Sequence, residues 1–250
     1  FPPIYRAHPD VGRVAVCDAD AQRLRAYADK YGISERCTDL KAILASDEYD
    51  AVHILTGIPS HAELTVAVLA AGKHCACTVP MATSIDAIRA IVKAQRASGK
   101  NYMMMETAVY TYQFLLAREM YARGEFGRVQ FLRGAHYQDM EHWPEYWTGL
   151  PPMWYATHAV APLLALEGAR ATKVHCCGSG TMRAELTTRY GNPFPIETAI
   201  FRLSNGVAAE VTRSLFQTAR AYQESFHIYG ERKSFEWFVE NEPPIITTMT

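Results

Sequence analysis

Three features that would place this chain in a familiar class are absent from it. Lysine and arginine together number 25 against 26 aspartates and glutamates, so there is no basic surplus to attract a nucleic acid. No apolar run approaches the roughly 18 residues of a membrane span, and the opening Phe1-Pro2-Pro3 lacks the pattern of a signal peptide. We therefore expect a cytoplasmic protein with a small-molecule partner, and neither a nucleic acid nor a membrane.

The cysteines also lack a pairing pattern. The chain has 6 cysteines and no CxxC pair, and most of them lie in apolar stretches typical of strands. In the segment His74-Cys75-Ala76-Cys77, a strand would turn His74 to the face opposite both thiols, so a tetrahedral set of ligands is incomplete. The sequence predicts reduced, buried thiols and no metal site.

What is present is a globular composition long enough for two domains, with 250 residues of which 49% are hydrophobic and 20% charged. Residues 1–114 alternate short apolar runs with amphipathic runs. Strands are predicted at 13–17, 51–55, 73–77 and 102–105, and helices ending near residues 31, 45, 71 and 98. Ser60 and Glu63 have the spacing of a capping box. The alternation predicts βαβ units around a parallel sheet, as in a Rossmann domain.

Residues 115–250 follow a different pattern. One more helix is predicted to end at residue 123, and a long strand at 129–137 has no crossover helix after it. Further strands are predicted at 173–177, 197–203, 207–216, 225–229 and 234–239, with a helix near 158–166 and turns at 204–206 and 230–232. The second domain is therefore expected to be α+β with a mainly antiparallel, open-faced sheet.

Both ends are expected to be incomplete. A nucleotide-binding domain of this class opens with a strand and a glycine-rich turn, whereas residues 4–9 have the character of the tail of the helix that follows them. We predict that the first strand and the phosphate loop are missing before Phe1. Residues 243–250 are expected to stop without a closing element.

Asp18 is the first candidate for cofactor binding. It stands at the carboxyl end of a predicted strand, where an acidic side chain accepts hydrogen bonds from the ribose hydroxyls of NAD and repels the 2′-phosphate of NADP. A plain helix cap is the alternative. The βαβ context favours the cofactor role, with NADP the less favoured nucleotide.

A second candidate follows the next strand, in the segment Thr56-Gly57-Ile58-Pro59-Ser60-His61. Ligands bind at the carboxyl edge of open α/β sheets. Gly57 lets the backbone approach a ligand closely, and the helix that follows offers free amides to an anion. A tight connecting loop remains the alternative for these residues.

Several segments keep a characteristic order along nearly the whole chain. They are residues 14–18, residues 56–61, Ala70-Ala71-Gly72-Lys73-His74, Pro80-Met81-Ala82-Thr83, residues 124–129 and Glu197-Thr198-Ala199-Ile200-Phe201. This order resembles the glucose-fructose oxidoreductase, inositol dehydrogenase and MocA family. The resemblance implies an NAD-binding Rossmann domain, an open-faced sheet used for substrate binding and homo-oligomer contact, and mostly sugar or polyol substrates.

The resemblance also implies a catalytic set that this chain keeps only in part. Family members use a lysine from Glu-Lys-Pro and an Asp-x-x-x-His pair. Here Thr78-Val79-Pro80 stands in place of Glu-Lys-Pro, so Val79 replaces the lysine. His158 occupies the histidine position, suited to acid/base work, and Trp154 falls where the aspartate would be. A core histidine is the alternative for His158.

Other polar groups are predicted to compensate. Tyr155 adjoins His158 within three residues, and Glu106 follows the fourth strand, where the nicotinamide end of the cofactor is expected. His136, Tyr137 and His142 belong to a stretch rich in polar and aromatic groups, as a carbohydrate site requires. Metal binding by these histidines matches no ligand spacing that we can justify. We predict His158, Tyr155 and Glu106 as catalytic. The predicted substrate contacts are His136, Tyr137, His142, Tyr155 and His158, and Thr78, Val79, Pro80 and Glu106 are predicted to contact the cofactor.

Three functions are compatible with these residues. The leading hypothesis is an NAD(P)-dependent oxidoreductase that transfers hydride from a sugar, sugar acid or cyclitol. The second keeps the cofactor in a redox-neutral reaction, such as elimination or glycoside cleavage started by transient oxidation. The third is a non-catalytic protein that senses a dinucleotide or a sugar, which loss of the lysine and the aspartate would permit.

Overall fold

The structure, a computed structural model, describes residues 1–249. They form two compact units, Phe1–Met104 and the chain from Met105 onward. The sequence prediction had assigned residues 105–114 to the first domain. Among the described residues, no helix combines the length and the apolar composition needed to cross a membrane.

The first unit alternates helices and short strands. Its helices are α1 (Pro2–Ala7), α2 (Ala21–Tyr31), α3 (Leu40–Ala45), α4 (His61–Ala70) and α5 (Ile85–Ser98), and its strands are β1 (Ala15–Cys17), β2 (Glu35–Cys37), β3 (Ala51–Ile54), β4 (His74–Thr78) and β5 (Tyr102–Met105), the last of which reaches the unit boundary. Helix α2 begins where the Asp20 carboxylate accepts from the backbone N–H groups of Gln22 and Arg23, and ends at Gly32 in the left-handed conformation.

The strands of the first unit form two sheets, β1-β2 and β3-β4-β5, and the pairs β1–β2 and β3–β4 are parallel. The Rossmann-type parallel arrangement is thus confirmed, although β2 was not predicted. The capping box at Ser60 was wrong. Its hydroxyl donates to the Gly57 carbonyl and bonds Thr56 rather than capping α4, because the chain makes a short 3-10 turn just before that helix.

The second unit is built on one seven-stranded sheet. Its helices are α6 (Tyr112–Ala122), α7 (Thr157–Glu167) and α8 (Ala184–Thr187), and its strands are β6 (Val129–Tyr137), β7 (Ala171–Ser179), β8 (Ile196–Leu203), β9 (Ala208–Ser214), β10 (Gln223–Gly230), β11 (Lys233–Trp237) and β12 (Ile245–Thr248). The strand order is β12-β11-β10-β6-β9-β8-β7. Only the described pair β6–β9 is parallel, so the predicted, mainly antiparallel sheet is confirmed.

Two expectations for this part of the chain were wrong. The segment thought to lack a closing element contains β12, which pairs antiparallel with β11, and α8 was not predicted. The thiols are not uniformly buried. Cys176 and Cys177 are exposed because β7 lies at the edge of the sheet with almost every residue accessible. In the first unit Cys17, at the end of β1, is also exposed, while Cys75 and Cys77 are buried.

Helix α7 packs on the inner face of the seven-stranded sheet through Ala159, Leu163 and Leu166, which join its apolar core. Burying a leucine side chain contributes roughly 1.5–3 kcal/mol. The contact requires a glycine on β6: a Cβ atom at Gly134 would lie 2.2 Å from the carbonyl oxygen of Ala159. This close approach sets the distance between α7 and β6, and with it the position of every side chain that the two elements share.

Candidate functional site

The centre of the candidate site is a hydrogen bond between His158 and Glu106. His158 lies in the first turn of α7, and Glu106 caps the 3-10 turn Thr107–Tyr110 by accepting from the Ala108 backbone N–H. Nδ1 of His158 and Oε1 of Glu106 are 2.6 Å apart, and only 5% of the glutamate side chain is exposed. The structure thus brings together two residues that are 52 positions apart in the sequence.

This contact fixes which ring nitrogen of His158 faces the rest of the site. An ionised carboxylate only accepts hydrogen bonds, so Nδ1 carries the proton that it donates to Glu106. The lone pair of the neutral ring is then on Nε2, which lies 3.3 Å from the hydroxyl of Tyr155. Glu106, His158 and Tyr155 therefore form one line of hydrogen-bonded groups, in which Nδ1 of His158 donates to the carboxylate and the Tyr155 hydroxyl donates to the basic Nε2.

Electrostatics keep the Glu106 carboxylate ionised. Burial alone would raise its pKa. The hydrogen bond from His158, the charge that this ring carries when protonated, and the Ala108 N–H together outweigh burial, so the pKa lies below the usual value. The pKa of Tyr155 is raised to about 12, chiefly by burial, which keeps its hydroxyl protonated near neutrality. The site thus contains a carboxylate that accepts and a phenol that can donate.

His136 is the second histidine of the site. It lies on β6 with 1% of its surface exposed, and its ring centroid is 5.2 Å from that of His158. Neither ring nitrogen has a hydrogen-bond partner among the described residues. Burial, then the charges of Arg213 and His158, lower its pKa, so the ring is neutral. A buried polar group without a partner costs about 1–3 kcal/mol, so its presence calls for an explanation such as a catalytic role or a bound ion or water.

Arg213, on β9 next to His136, is a buried cation that forms no ion pair within the described residues. Its guanidinium donates to the backbone carbonyls of Tyr155, His136 and Ser214 and to the side-chain oxygen of Gln138, at 2.7–3.0 Å. Burial lowers its pKa to about 9, which still leaves it charged near neutrality. Arg213 therefore holds the loop before α7 to the sheet and adds positive charge beside the histidines.

Glu224 completes the polar face. It lies on β10 directly opposite His136, and its Oε1 is 4.0 Å from Nε2 of that histidine. Tyr222 donates to the same carboxylate and its ring contacts His136. Sequence reasoning missed Glu224, Tyr222 and Arg213. The available signal was alternation: Glu224 shares a face with the buried Phe226, and Arg213 with the buried Val211, so each places a charge on an inward-facing position.

Some predicted substrate residues lie away from this cluster. Tyr137 follows His136 along β6, so its side chain points to the opposite face of the sheet, where Arg220 lies over its ring. His142 is exposed in a turn with a positive φ of 70°. Trp154, at the family's aspartate position, is 40% exposed and contacts Tyr190. The structure unites His136, Tyr155, His158 and Glu106, and leaves Tyr137 and His142 outside.

In the first unit, Asp18 follows β1 as predicted but is already engaged. Its two oxygens accept from Nε and Nη2 of Arg23 at 2.6 and 2.8 Å and from the Asp20 backbone N–H at 2.9 Å. The hydrogen bond from Arg23 lowers the pKa of the carboxyl group, so it is ionised. A carboxylate offers about four acceptor positions. A free position therefore remains for a ribose hydroxyl.

His61 acts as a buried link between two loops at the carboxyl edge of the β3-β4-β5 sheet. Its Nδ1 lies 2.8 Å from the Pro80 carbonyl oxygen, and its Nε2 lies 3.0 Å from that of Thr56. Both ring nitrogens are occupied by backbone atoms. His61 therefore positions the loops that contain Thr56 and Pro80, and its ring has no free nitrogen for a ligand.

The remaining cofactor candidates line the same edge. Thr78 ends β4 and donates to the Ile54 carbonyl at 3.3 Å, and Val79 is buried with 9% exposed. Gly57 and Pro59 lie in the loop after β3. An ionised acid after β1 and backbone-rich loops after β3 and β4 fit the ribose and the body of a dinucleotide.

Two family models match most of this chain. The oxidoreductase family with an NAD-binding Rossmann fold matches residues 1–106, and the GFO/IDH/MocA C-terminal domain matches residues 114–236. The chain belongs to the GFO/IDH/MocA family. Its first unit is an NAD-binding Rossmann domain, and NAD is the cofactor.

Among curated proteins, the chain is 30% identical over 172 residues to glycosyl hydrolase family 109 protein 1 of Bacteroides thetaiotaomicron, covering 62% of this chain and 37% of that protein. It is 38% identical over 93 residues to D-apiose dehydrogenase of Paraburkholderia graminis, covering 37% of this chain and 25% of that protein. The matched part of the chain thus spans less than two fifths of either relative.

Among solved structures, a levoglucosan dehydrogenase in complex with NADH and levoglucosan is similar to this chain with a TM-score of 0.82 at 20% identity. The likeness covers 99% of this chain and 74% of that one. At that level of identity it shows a shared fold.

Proposed function

We propose that this protein is an NAD-dependent oxidoreductase that oxidises or reduces a hydroxyl-bearing carbon of a sugar, sugar acid or cyclitol. The observation that carries the proposal is the line Glu106–His158–Tyr155, which holds a basic nitrogen ready at a polar face of a protein whose family binds NAD. Similarity to a D-apiose dehydrogenase and to the levoglucosan complex supports a carbohydrate-like substrate.

In the oxidative direction His158 is the proton acceptor. NAD, when bound, supplies the acceptor for the hydride that leaves the carbinol carbon. Nε2 of His158 takes the hydroxyl proton as that C–H bond breaks, and the new positive charge on the ring is stabilised by the Glu106 carboxylate at Nδ1. When substrate binds, the Tyr155 hydroxyl would turn from Nε2 of His158 and donate to the substrate oxygen, and His136 would offer its unpartnered nitrogens to a neighbouring hydroxyl.

Glu106 is proposed as a positioning residue that takes the place of the family's aspartate. That aspartate position is Trp154 here, yet His158 still has a carboxylate at Nδ1. The carboxylate comes from the turn after β5 instead of from the residues before α7. The missing lysine at Val79 has no such replacement from its own segment, so the proton transfer is assigned to the cluster in the second unit.

For the cofactor we propose NAD in preference to NADP, held by Asp18 and by the loops that contain Thr56, Gly57 and Pro59 and the segment Thr78-Val79-Pro80. The ionised Asp18 carboxylate would accept ribose hydroxyls and repel a 2′-phosphate. His61 contributes by holding the two loops together.

A second candidate is glycoside cleavage with no net redox change. The similarity to a glycosyl hydrolase family 109 protein favours it, since hydrolysis consumes no oxidant overall. Both candidates begin with the same oxidation step, so the same histidine would serve either of them.

Product analysis separates the two. The purified protein with NAD is incubated with a panel of sugars, sugar acids, cyclitols and aryl glycosides, and absorbance at the nicotinamide band is followed beside release of the aryl group. Stoichiometric NADH supports the dehydrogenase. Aryl release with catalytic NAD and no NADH supports the hydrolase. Neither change on any substrate would contradict the enzymatic proposal and favour a sensing role.

We further propose a homo-oligomer formed through the open face of the seven-stranded sheet, where Ile200 is 55% exposed. Light scattering tests it, and a monomer at micromolar concentration would contradict it. The six free cysteines support a reducing compartment, as in the cytoplasm.

A further inference from the structure

We propose that His136, His158 and Glu224 form a binding site for one divalent transition-metal ion of the zinc type. One ligand atom from each residue lies within 4.8 Å of the others. Two ligands of one zinc ion at about 2.1 Å lie about 3.4 Å apart in a tetrahedral site. The residues therefore need small side-chain movements, and no rearrangement of the strands, to close on an ion.

The donor set has the chemistry of a metal site. Two imidazoles and one carboxylate are ligands that zinc and similar ions accept, with a further position left open. His136 is buried and both its nitrogens lack partners among residues 1–249, so a nitrogen is available without breaking an existing bond. Its opposite neighbour across the β6–β10 pair is Glu224, which fixes both side chains on one face.

The contact with Glu106 has the arrangement that metal-bound histidines use. A ligating histidine almost always donates its other N–H to a carboxylate or carbonyl, which fixes the ring and raises its basicity. His158 does this through Nδ1 at 2.6 Å, which leaves Nε2 as its ligand atom once the Tyr155 hydroxyl, at 3.3 Å, turns away. The charges facing the proposed ion are the carboxylates of Glu106 and Glu224 and the guanidinium of Arg213, so one negative charge remains to attract a cation.

The inference concerns the same face as the proposed function but goes beyond it. Nε2 of His158 has one lone pair, so it can accept a substrate proton or bind a cation, but not both at once. An ion in this site is therefore expected to inhibit an enzyme that uses His158 as its proton acceptor. The sequence prediction assigned no metal ligands, because Glu224 is too distant in the chain from the histidines to suggest a motif.

The test uses the purified protein stripped with a chelator and titrated with Zn²⁺ by calorimetry, with thermal unfolding as a second readout. We expect one ion per chain and a rise in Tm. His136→Phe removes a ligand but keeps a buried ring, and Glu224→Gln removes the carboxylate charge. Each should weaken binding by about a hundredfold or more, and Glu106→Gln by about ten- to a hundredfold. His8→Ala changes an exposed histidine of the first unit, outside this sheet, and serves as the matched control.

No stoichiometric binding, or equal binding by wild type and His136→Phe, would overturn the site. If His136→Phe failed to fold, loss of the zinc-induced rise in Tm in Glu224→Gln alone would decide. The activity assay is independent of these outcomes. Inhibition by Zn²⁺ that a chelator reverses supports the proton-acceptor role of His158. A requirement for Zn²⁺ would overturn that role and leave the metal site standing.

Discussion

The two units differ in whether the hydrogen-bonding groups of their candidate residues already have partners. In the first, Asp18 is bonded to Arg23 and both nitrogens of His61 are held by carbonyl oxygens, so these groups mainly shape loops at a sheet edge. In the second, His136 has no partner and Nε2 of His158 has only a weak contact with Tyr155. Groups left unsatisfied in a buried place are costly, so the second unit is where we expect substitutions to change chemistry most.

The largest effect is expected for His158→Ala. Because His158 is the proposed proton acceptor, kcat should fall by about two orders of magnitude or more, the usual scale for a general acid/base group. Cofactor affinity should barely change. Steady-state kinetics on the sugar panel, with His8→Ala at an exposed histidine of the first unit as the control, measures this. A near-normal kcat in His158→Ala would remove the residue from the mechanism.

Glu106→Gln should have the next largest effect. The amide would keep the shape but lose the charge that stabilises the imidazolium, so kcat should fall by roughly ten- to a hundredfold with KM little changed. Glu106→Asp, which keeps the charge, should recover part of the loss. Equal losses in both variants would indicate a purely structural role.

Gly134→Ala should act on both stability and activity. The added methyl group would meet the Ala159 carbonyl at 2.2 Å, so α7 must shift away from β6. We expect a loss of about 1–3 kcal/mol in the free energy of unfolding, as for overpacked cores, with a fall in kcat. Denaturant melts measure the free energy of unfolding. Gly168→Ala is the control for backbone strain alone, because a Cβ atom there meets nothing within 4 Å although φ is 58°.

In the first unit, Asp18→Asn should raise the Kd for NAD by about tenfold, equivalent to about 1.4 kcal/mol, and narrow the preference over NADP. Loss of the charge removes an acceptor for ribose hydroxyls and the repulsion of a 2′-phosphate. Calorimetry with both nucleotides measures the change. If the ratio of the affinities for NAD and NADP were unchanged, the only role of Asp18 would be its hydrogen bond to Arg23.

The smallest effect is expected in how the free energy of unfolding falls at acid pH, where Glu106 becomes protonated. The folded pKa of Glu106 is lowered, so the unfolded chain binds its proton first as the pH falls. Its stabilising contribution is therefore present above the unfolded pKa of about 4.3 and is lost as the pH falls through the lower, folded value. Denaturant melts between neutral and acid pH should show a shallower acid loss in Glu106→Gln than in wild type. Parallel curves would contradict this.

The sequence allowed most of the fold to be predicted because the signals are local. Asp20 and Gly32 mark the two ends of α2, and the period of apolar residues distinguishes the two units. The short strand β2 escaped because its three residues, Glu35-Arg36-Cys37, carry no apolar alternation. Such a strand exists only because β1 pairs with it, which is a tertiary effect.

The candidate site was predicted only in part, for a related reason. His158, Tyr155, His136 and Glu106 were selected by family position or local composition, and the structure places them together. Glu224 and Arg213 belong to strands whose register with β6 cannot be read from local pattern. Glu106 and His158 were predicted to share one site, but the direct hydrogen bond between them could not be predicted from the sequence. Distance along the chain, rather than residue chemistry, limited the prediction.

The central position of β6 in the sheet also bears on when the site can form during folding. His136 on β6 has Arg213 beside it on β9 and Glu224 on β10, and these residues are 77 and 88 positions later in the chain. Pairings between distant segments form slowly because a long loop must close first. Synthesis from the amino end therefore delivers His136 before its neighbours, and we expect the binding face to form only after both β9 and β10 have paired with β6. A ligand of that face would report completed folding rather than an early intermediate.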